Sequence, residues 1–286
     1  MKPAAFSYHR PTSIDAVVEL LDRYGFDAKV IAGGQSLAPM MNMRFAQPTQ
    51  LIDLNAVPNL TGIERRGDRL VVGALTRHHD VAESALVHEA CPLLAAAAAT
   101  VGHYAIRQRG TLGGSLAHAD PAAQLPLAAV TLGARIQAIG PRGTREIAAG
   151  EFALGTMTTA LEPDEIVAAV HFPCRSPAEA HGFELFSRRH GDFAIASCAI
   201  TATIVHGQFS ALRIGIGGVS DVPVSLEFLA ESFVGETVSD ATCVGIAQRA
   251  AATVEPVDDS RISAAYRREL VEALCRRVLA RVCNLR

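Results

Sequence analysis

The chain has 286 residues, of which 49% are hydrophobic and 19% charged, and its formal net charge at pH 7 is −3. This length predicts two domains, and the composition supports a large hydrophobic core rather than extended disorder. Because the charge is nearly balanced and no basic stripe stands out, nucleic acid is not an expected partner. The longest apolar run, residues 92–102, is too short for a membrane span, and the N-terminus lacks the apolar segment of a secretory signal.

The predicted elements begin with a helix that is capped by Thr12 or Ser13 and ends at Gly25. Short buried strands are expected at residues 29–32 and 51–54. Thr76 is expected to cap a short helix. The other elements expected in this half are a hairpin, an Ala-rich helix, a helix that starts at a proline, a second hairpin turn and a strand, at residues 60–72, 85–100, 121–132, 141–143 and 166–172.

Residues 173–177 (PCRSP) are the best candidate for a linker, because the pattern changes beyond them. Strand-like segments at residues 193–205 and 209–219 flank a turn, and helices are expected near residues 224–232, 240–253 and 260–283. Strands followed by helices predict an α+β second domain in which one face of a sheet is covered.

Two glycine clusters are the most informative motifs, AGGQS at residues 32–36 and TLGGS at residues 111–115. Each is expected to leave an apolar strand. Successive backbone N–H groups in such bends form a concave anion site, and a helix that starts there adds partial positive charge. Two such sites that converge would favour a diphosphate and therefore a dinucleotide. Taken singly, each glycine pair is equally typical of an ordinary tight turn.

Other chemistry lacks support in the sequence. No P-loop and no G-x-G-x-x-G fingerprint occurs, and the glycines at residues 215–218 are interpreted as a strand-end bulge. The motifs of serine hydrolases and zinc proteases are missing. The six cysteines are scattered, which is typical of reduced cytoplasmic thiols and argues against an iron–sulfur cluster or zinc ion in this chain. The pairs His78-His79 and His118-x-Asp120 have no evident third metal ligand.

Three stretches in order, AGGQSLAPMMNMR (32–44), IRQRGTLGGSLAHADPAAQLP (106–126) and SRRHGDFAIAS (187–197), resemble one family. It is the flavin-binding medium subunit of molybdenum hydroxylases, the family of xanthine dehydrogenase and carbon monoxide dehydrogenase. The resemblance implies an α+β fold. Residues 1–176 would form a vanillyl-alcohol-oxidase (PCMH)-type FAD-binding domain of two subdomains that divide near residue 55. Residues 178–286 would form a domain of the CO dehydrogenase flavoprotein type, with one antiparallel sheet and helices.

The resemblance also implies which residues bind FAD. Both glycine clusters would hold the diphosphate, mainly through backbone N–H groups, and Ser36 and Ser115 would add hydroxyl donors. Val101 and Phe193 match positions near the isoalloxazine ring, although a core phenylalanine is an equal alternative for Phe193. The expected cofactor-binding residues are Ala32, Gly33, Gly34, Gln35, Ser36, Leu37, Val101, Thr111, Gly113, Gly114, Ser115, Asp120, Gln124 and Phe193, with no catalytic and no metal-binding residue expected in this chain.

The chain departs from its relatives at two points. Position 124 is Gln where many relatives have Asp or Glu, so a carboxylate contact to hydroxyl groups of the cofactor would become an amide contact. The chain also lacks the Cys-rich loop that holds a [4Fe–4S] cluster in relatives that reduce hydroxybenzoyl thioesters, so membership of that subclass is not expected.

The implied function is that of the FAD subunit of a three-component cytoplasmic hydroxylase. A large molybdenum–pterin subunit would oxidise the substrate, and a small subunit with [2Fe–2S] clusters would pass electrons to FAD in this chain and on to an external acceptor. A dimer of such heterotrimers is expected. The alternatives are a stand-alone FAD-dependent oxidoreductase of the same superfamily and a non-catalytic nucleotide-binding scaffold.

Overall fold

A computed structural model describes residues 2–260 and 262–285 of the chain. Residues 1, 261 and 286 lie outside the described residues. Residue 261 falls within the helix predicted at residues 260–283, and residues 1 and 286 are the outer limits of the two predicted domains. No helix within the described ranges is both long and apolar enough to cross a membrane.

The N-terminal part forms a small parallel sheet of three strands covered by a helix. Its elements are β1 (Ser7–His9), α1 (Ile14–Tyr24), β2 (Ala28–Ile31), α2 (Leu37–Asn42) and β3 (Gln50–Asp53), with the strand order β1-β3-β2. Val17 and Leu21 lie one helical turn apart on α1 and are buried in the core of this unit. Of the two candidate caps, Ser13 is the one used, since its hydroxyl accepts a hydrogen bond from the N–H of Ala16 at 3.2 Å.

A five-stranded antiparallel sheet with the order β4-β5-β10-β6-β7 follows, together with a two-stranded ribbon, β8-β9. The strands are β4 (Ile63–Arg66), β5 (Arg69–Gly73), β6 (Arg135–Gly140), β7 (Gly143–Ala148), β8 (Ala153–Gly155), β9 (Thr158–Thr159) and β10 (Ile166–Pro173). The helices are α3 (His78–Glu83), α4 (Ala85–Ala90), α5 (Pro92–Ala99), α6 (Tyr104–Arg107), α7 (Leu112–His118), α8 (Gln124–Leu132) and α9 (Ala149–Phe152).

The C-terminal part is an antiparallel sheet packed against helices. Its elements are β11 (Glu179–Phe186), β12 (Ala196–Val205), β13 (Gln208–Gly217), β14 (Val224–Ser225), α10 (Glu227–Glu231), α11 (Asp240–Thr253) and α12 (Ala264–Val282). Both faces of the sheet are covered, which corrects the expectation of one covered face. On β12, Cys198 and Ile200 enter the core that also contains α11 and α12, whereas Ala199 joins the core that contains α5 and α8.

Two predicted helices have different limits in the structure. The helix expected at residues 85–100 is broken at Cys91, whose ψ is 63°, because the residue before a proline is disfavoured in the helical region. The helix expected to start at Pro121 starts at Gln124. Asp120 explains the delay, since its carboxylate accepts a hydrogen bond from the N–H of Ala122 at 2.8 Å and holds a turn there.

Strands β1 and β11 are not predicted from the sequence pattern. The first is only three residues long, and the second is half-buried throughout, so neither shows a clear alternation of polar and apolar residues. The segment expected to be a helix near residues 224–232 divides into strand β14 and the short helix α10. The mixed helix and sheet architecture, with an antiparallel sheet near the C-terminus, agrees with the predicted α+β fold.

Candidate functional site

The first glycine segment, residues 32–37, follows the carboxyl end of β2 and leads into α2. Gly34 has a φ of +71°, a left-handed conformation that favours glycine. Within the described chain, no acceptor takes the backbone N–H groups of residues 33–37. Ser36 is the N-cap residue of α2, but its hydroxyl makes no capping bond. This segment therefore presents several hydrogen-bond donors that the chain itself does not use.

The second glycine segment, residues 111–115, forms the N-cap and first turn of α7. A strand is expected before it, but the preceding element is helix α6. The Thr111 hydroxyl caps this helix by accepting a hydrogen bond from the N–H of Gly114 at 3.2 Å. The N–H groups of Leu112 and Gly113 donate to the carbonyls of Thr76 and Ala74, at 3.0 and 2.8 Å. The Ser115 N–H donates to the Thr111 carbonyl at 3.0 Å, so the backbone N–H groups of residues 112–115 are all used and the segment offers far fewer backbone donors than the sequence suggests. The Ser115 hydroxyl bonds no other group in the part of the chain described.

The two glycine segments meet in the folded chain. A Cβ atom on Gly33 would collide with the carbonyl oxygen of Arg109 and would lie 2.9 Å from the Cα atom of Gly110. The Cβ atom of Ala32 is 3.8 Å from the position a Cβ would take at Gly114. Glycine at position 33 thus serves contact between two backbones. The two segments therefore lie against each other in the folded chain.

Residues 76–78 hold the second segment in place through hydrogen bonds to its backbone and to Gly110. The backbone N–H of His78 donates to the Gly110 carbonyl at 3.0 Å, and its Nε2 lies 2.9 Å from the Thr111 carbonyl. Burial lowers the pKa of His78 to about 4, so the ring is neutral at pH 7 and its Nε2–H donates to Thr111. Thr76 does not cap a helix as expected, because its hydroxyl bonds the backbone of Gly62 instead. Helix α3 follows Arg77.

The loops that carry Val101 and Phe193 touch each other. Arg107 fixes the first loop by donating to the Val101 carbonyl at 3.1 Å. Gly191 has a φ of +85°, and a Cβ there would lie 2.6 Å from the ring of His103, so the second loop packs on the first. The Phe193 side chain is 73% exposed, which rules out a core phenylalanine at this position.

Gln124 begins α8 and is 7% exposed. Its side-chain amide forms no hydrogen bond with any residue in the described ranges. The oxygen and nitrogen of this amide are not fully enclosed and keep contact with solvent, so they are open to a polar ligand at this position. The carboxylate of Asp120 is already engaged by the Ala122 N–H, so its free oxygen is the one that remains for a ligand.

Other residues at the site carry no motif in the sequence. Asn55 and Arg77 lie between the two glycine segments, and His78 is suggested by its pattern only as a metal ligand. Their one sequence signal is that Asn55 lies two residues after the end of β3 and that Arg77 and His78 lie four and five residues after the end of β5. Among the described residues, no group of three or more His, Cys, Asp or Glu side chains is arranged to hold a metal ion.

Comparisons with known proteins agree along the whole chain. Residues 4–175 match the family described as "FAD binding domain in molybdopterin dehydrogenase", and residues 181–282 match "CO dehydrogenase flavoprotein C-terminal domain". The 6-hydroxypseudooxynicotine dehydrogenase complex subunit alpha of Paenarthrobacter nicotinovorans is 36% identical, over 99% of this chain and 96% of the relative. The carbon monoxide dehydrogenase medium chain of Hydrogenophaga pseudoflava is also 36% identical, over 98% and 97% of the two chains.

Solved structures show the same relationship. Carbon monoxide dehydrogenase from Hydrogenophaga pseudoflava, in a form lacking the Mo-pyranopterin moiety, superposes with a TM-score of 0.97 at 35% identity, covering 100% of this chain and 99% of that one. Quinoline 2-oxidoreductase from Pseudomonas putida 86 gives a TM-score of 0.95 at 35% identity, with 99% of each chain covered. The chain therefore belongs to the molybdenum hydroxylase flavoproteins, as an FAD-binding medium subunit of that family.

Proposed function

We propose that the two glycine segments hold the diphosphate of FAD. The observation that carries this proposal is the set of unused N–H groups at residues 33–37, which lie where the first segment meets the second. The hydroxyls of Ser36 and Ser115 supply further donors. Donors of this kind fit a phosphate, because an anion in a backbone concavity is stabilised by several N–H groups at once.

The remaining predicted residues are assigned to the rest of the cofactor. Gln124 would bond hydroxyl groups of the sugar or ribityl chain through its free amide, and Asp120 would lie beside it. Val101 and the exposed Phe193 would flank the isoalloxazine ring. In this assignment residues 1–176 form the FAD-binding unit, which divides near residue 55, and residues 178–286 form the second domain.

In the assembled enzyme, this chain positions the flavin between an electron donor and an acceptor. FAD, when bound, accepts electrons and passes them on. The donor in this proposal is a small subunit with [2Fe–2S] clusters, the substrate is oxidised at a molybdenum–pterin centre in a large subunit, and the electrons leave to an external acceptor. The printed names of relatives, a complex subunit and a medium chain, support a multi-subunit assembly. The free thiols support a cytoplasmic location.

Capture of the chain from its native host tests this function. An affinity tag on the full chain should retain a large and a small partner in equal amounts, in a dimer of heterotrimers, and heat should release FAD from the complex. Recovery of the chain as a fully active monomer would favour the stand-alone oxidoreductase. Recovery without any flavin would favour the nucleotide-binding scaffold. Release of FMN alone would contradict the diphosphate site.

A further inference from the structure

Asn55 and Arg77 connect the first glycine segment to the residues that immediately precede the second one, through side-chain hydrogen bonds. One terminal nitrogen of the Arg77 guanidinium donates to the Arg109 carbonyl at 2.6 Å, and the other donates to Oδ1 of Asn55 at 2.8 Å. The Asn55 amide in turn donates through Nδ2 to the Ala32 carbonyl at 2.8 Å. An unbroken chain of hydrogen bonds therefore runs from the residue before Gly33 to the residue before Gly110.

The position of Asn55 is set by the end of strand β3. Asn55 lies in the short 3-10 turn Leu54–Ala56, and Oδ1 of Asp53 accepts its backbone N–H at 2.8 Å and lies 2.6 Å from its Nδ2. The hydroxyl of Tyr8 on β1 donates to the other oxygen of Asp53. The small parallel sheet therefore orients the Asn55 amide, and a rigid element stands behind one end of the bridge.

The bridge acts where the two backbones are closest. The Arg109 carbonyl that accepts from Arg77 is the same group that a Cβ on Gly33 would strike. A guanidinium presents several donors in one plane, so a single Arg77 side chain can hold this carbonyl and Asn55 at once. Neither Asn55 nor Arg77 belongs to the glycine segments, and both act through the carbonyls of residues that precede the glycines.

We propose that Asn55 and Arg77 are a positioning pair that sets the separation of the two glycine segments and thereby the affinity for FAD. This inference rests on the proposed diphosphate site. Because the segments come from different parts of the chain, their spacing depends on what joins them. A displacement of about 1 Å in such a pair would spoil the hydrogen bonds of one segment to an anion that the other segment holds.

A double-mutant cycle tests the pair in the complex captured through a tag on the full chain. FAD is removed, and its binding to the wild type, Asn55→Ala, Arg77→Met and the double variant is measured by titration. Arg77→Met should weaken binding by about tenfold or more, the scale of one hydrogen bond to a charged group. The double variant should bind no more weakly than Arg77→Met, because either change breaks the same bridge. Arg77→Lys should recover part of the loss.

A matched control is Arg175→Met. The Arg175 guanidinium also bonds backbone carbonyls, those of Glu89 and Glu179, but it lies at the linker between the two sheets. This variant should bind FAD as the wild type does. Unfolding of each flavin-free protein is measured alongside, and the positioning role predicts weaker FAD binding with a midpoint close to that of the wild type.

Three results would overturn the positioning pair. They are FAD affinities within twofold of the wild type, losses from the two changes that add independently, and losses that only follow a fall in the stability of the flavin-free protein. Failure of the wild type to bind FAD would be a different outcome, because it would refute the proposed function itself. Wild-type binding with unaffected variants would refute only the pair.

Discussion

At the scale of single residues, the glycines of the site answer different physical needs. Gly34 supplies a left-handed backbone, Gly33 allows the Arg109 backbone to approach, and Gly113 lies where a Cβ would be 2.5 Å from the Cβ of Ala74. The sequence pattern predicts that these glycines have a special role, but it cannot distinguish approach to a ligand from approach to another segment of the same chain. That distinction depends on tertiary contacts between distant segments.

Replacement of Gly33 tests the close approach of the two segments. Gly33→Ala should lower the free energy of unfolding by about 1–3 kcal/mol, because the added methyl group strikes backbone that cannot move aside. The flavin content of the purified complex should fall as well. Gly150→Ala is the control, since a Cβ there meets open space within helix α9; it should not destabilise the chain and is expected to add up to about 1 kcal/mol. Equal behaviour of the two variants in urea unfolding would contradict the contact.

Substitutions of Gln124 test the proposal that its amide faces the cofactor. Gln124→Glu should leave FAD affinity within about tenfold of the wild type, or about 1.4 kcal/mol, because a carboxylate also accepts hydrogen bonds from hydroxyl groups. Gln124→Leu keeps a buried side chain but cannot pair with a hydroxyl, so it should weaken binding more than the Glu variant. Titration of the flavin-free protein decides this. A Leu variant that binds FAD as tightly as the wild type would show that Gln124 faces away from the cofactor.

His78 makes the stability of the site depend on pH. Its pKa is about 4 in the folded chain and about 6.5 when unfolded, so the folded state favours the neutral ring. The free energy of unfolding should therefore keep its full value above pH 6.5 and fall as the pH drops from 6.5 to 4. The loss over this window is about 3 kcal/mol.

His78→Gln should flatten this slope, because an amide can donate to the Thr111 carbonyl without titrating. Denaturant unfolding at several pH values measures the slope. The control is His206→Gln, at an exposed turn with a φ of +51°, and it should keep the slope of the wild type. If His78→Gln loses stability with acid as steeply as the wild type does, another group is responsible.

At the scale of elements, long segments with a regular apolar spacing are the easiest to predict, and the first and last residues of helices and strands are the hardest. Helices α1 and α11 follow directly from their caps and apolar spacing. The break at Cys91 also has a local cause in Pro92, and the delayed start of α8 has one in the Asp120 turn. The helical context of Thr111–Ser115 could not be predicted, because this segment is placed by hydrogen bonds to residues 74 and 76 rather than by its own propensity.

Helix α8 is apolar on nearly every face because it lies between the five-stranded sheet and the C-terminal sheet. Leu127 is fully buried, and the Cβ positions of Gly215 and Gly217 on β13 would lie 2.9 and 3.1 Å from its methyl groups. Leu127→Ala should therefore cost about 2–5 kcal/mol of stability. Leu154→Ala, at a side chain that is 64% exposed, should cost little. Similar midpoints of urea unfolding for the two variants would contradict the packing of Leu127 between α8 and β13.

At the scale of the whole molecule, the order of the motifs predicts the family, and the fold explains why the motifs are far apart in the chain. The parallel sheet carries the first glycine segment and the five-stranded sheet supports the second, so the site forms only when both are assembled. The C-terminal domain contributes the exposed loop of Phe193 and holds α8 against its sheet through Arg213, which donates to the Leu132 carbonyl at 2.7 Å. The order of the motifs predicts the two parts of the chain and their sequence of elements. The Asn55–Arg77 bridge could not be predicted, because it depends on contacts between residues that are far apart in the sequence.

The most direct test of the central claim is an experimental structure of the complex purified with its flavin. We expect the FAD diphosphate to lie where residues 33–36 meet Thr111–Ser115, within hydrogen-bond distance of the unused N–H groups of the first segment and of the Ser115 hydroxyl. A flavin whose diphosphate lies elsewhere on the chain, with the two glycine segments in contact only with each other, would contradict the account.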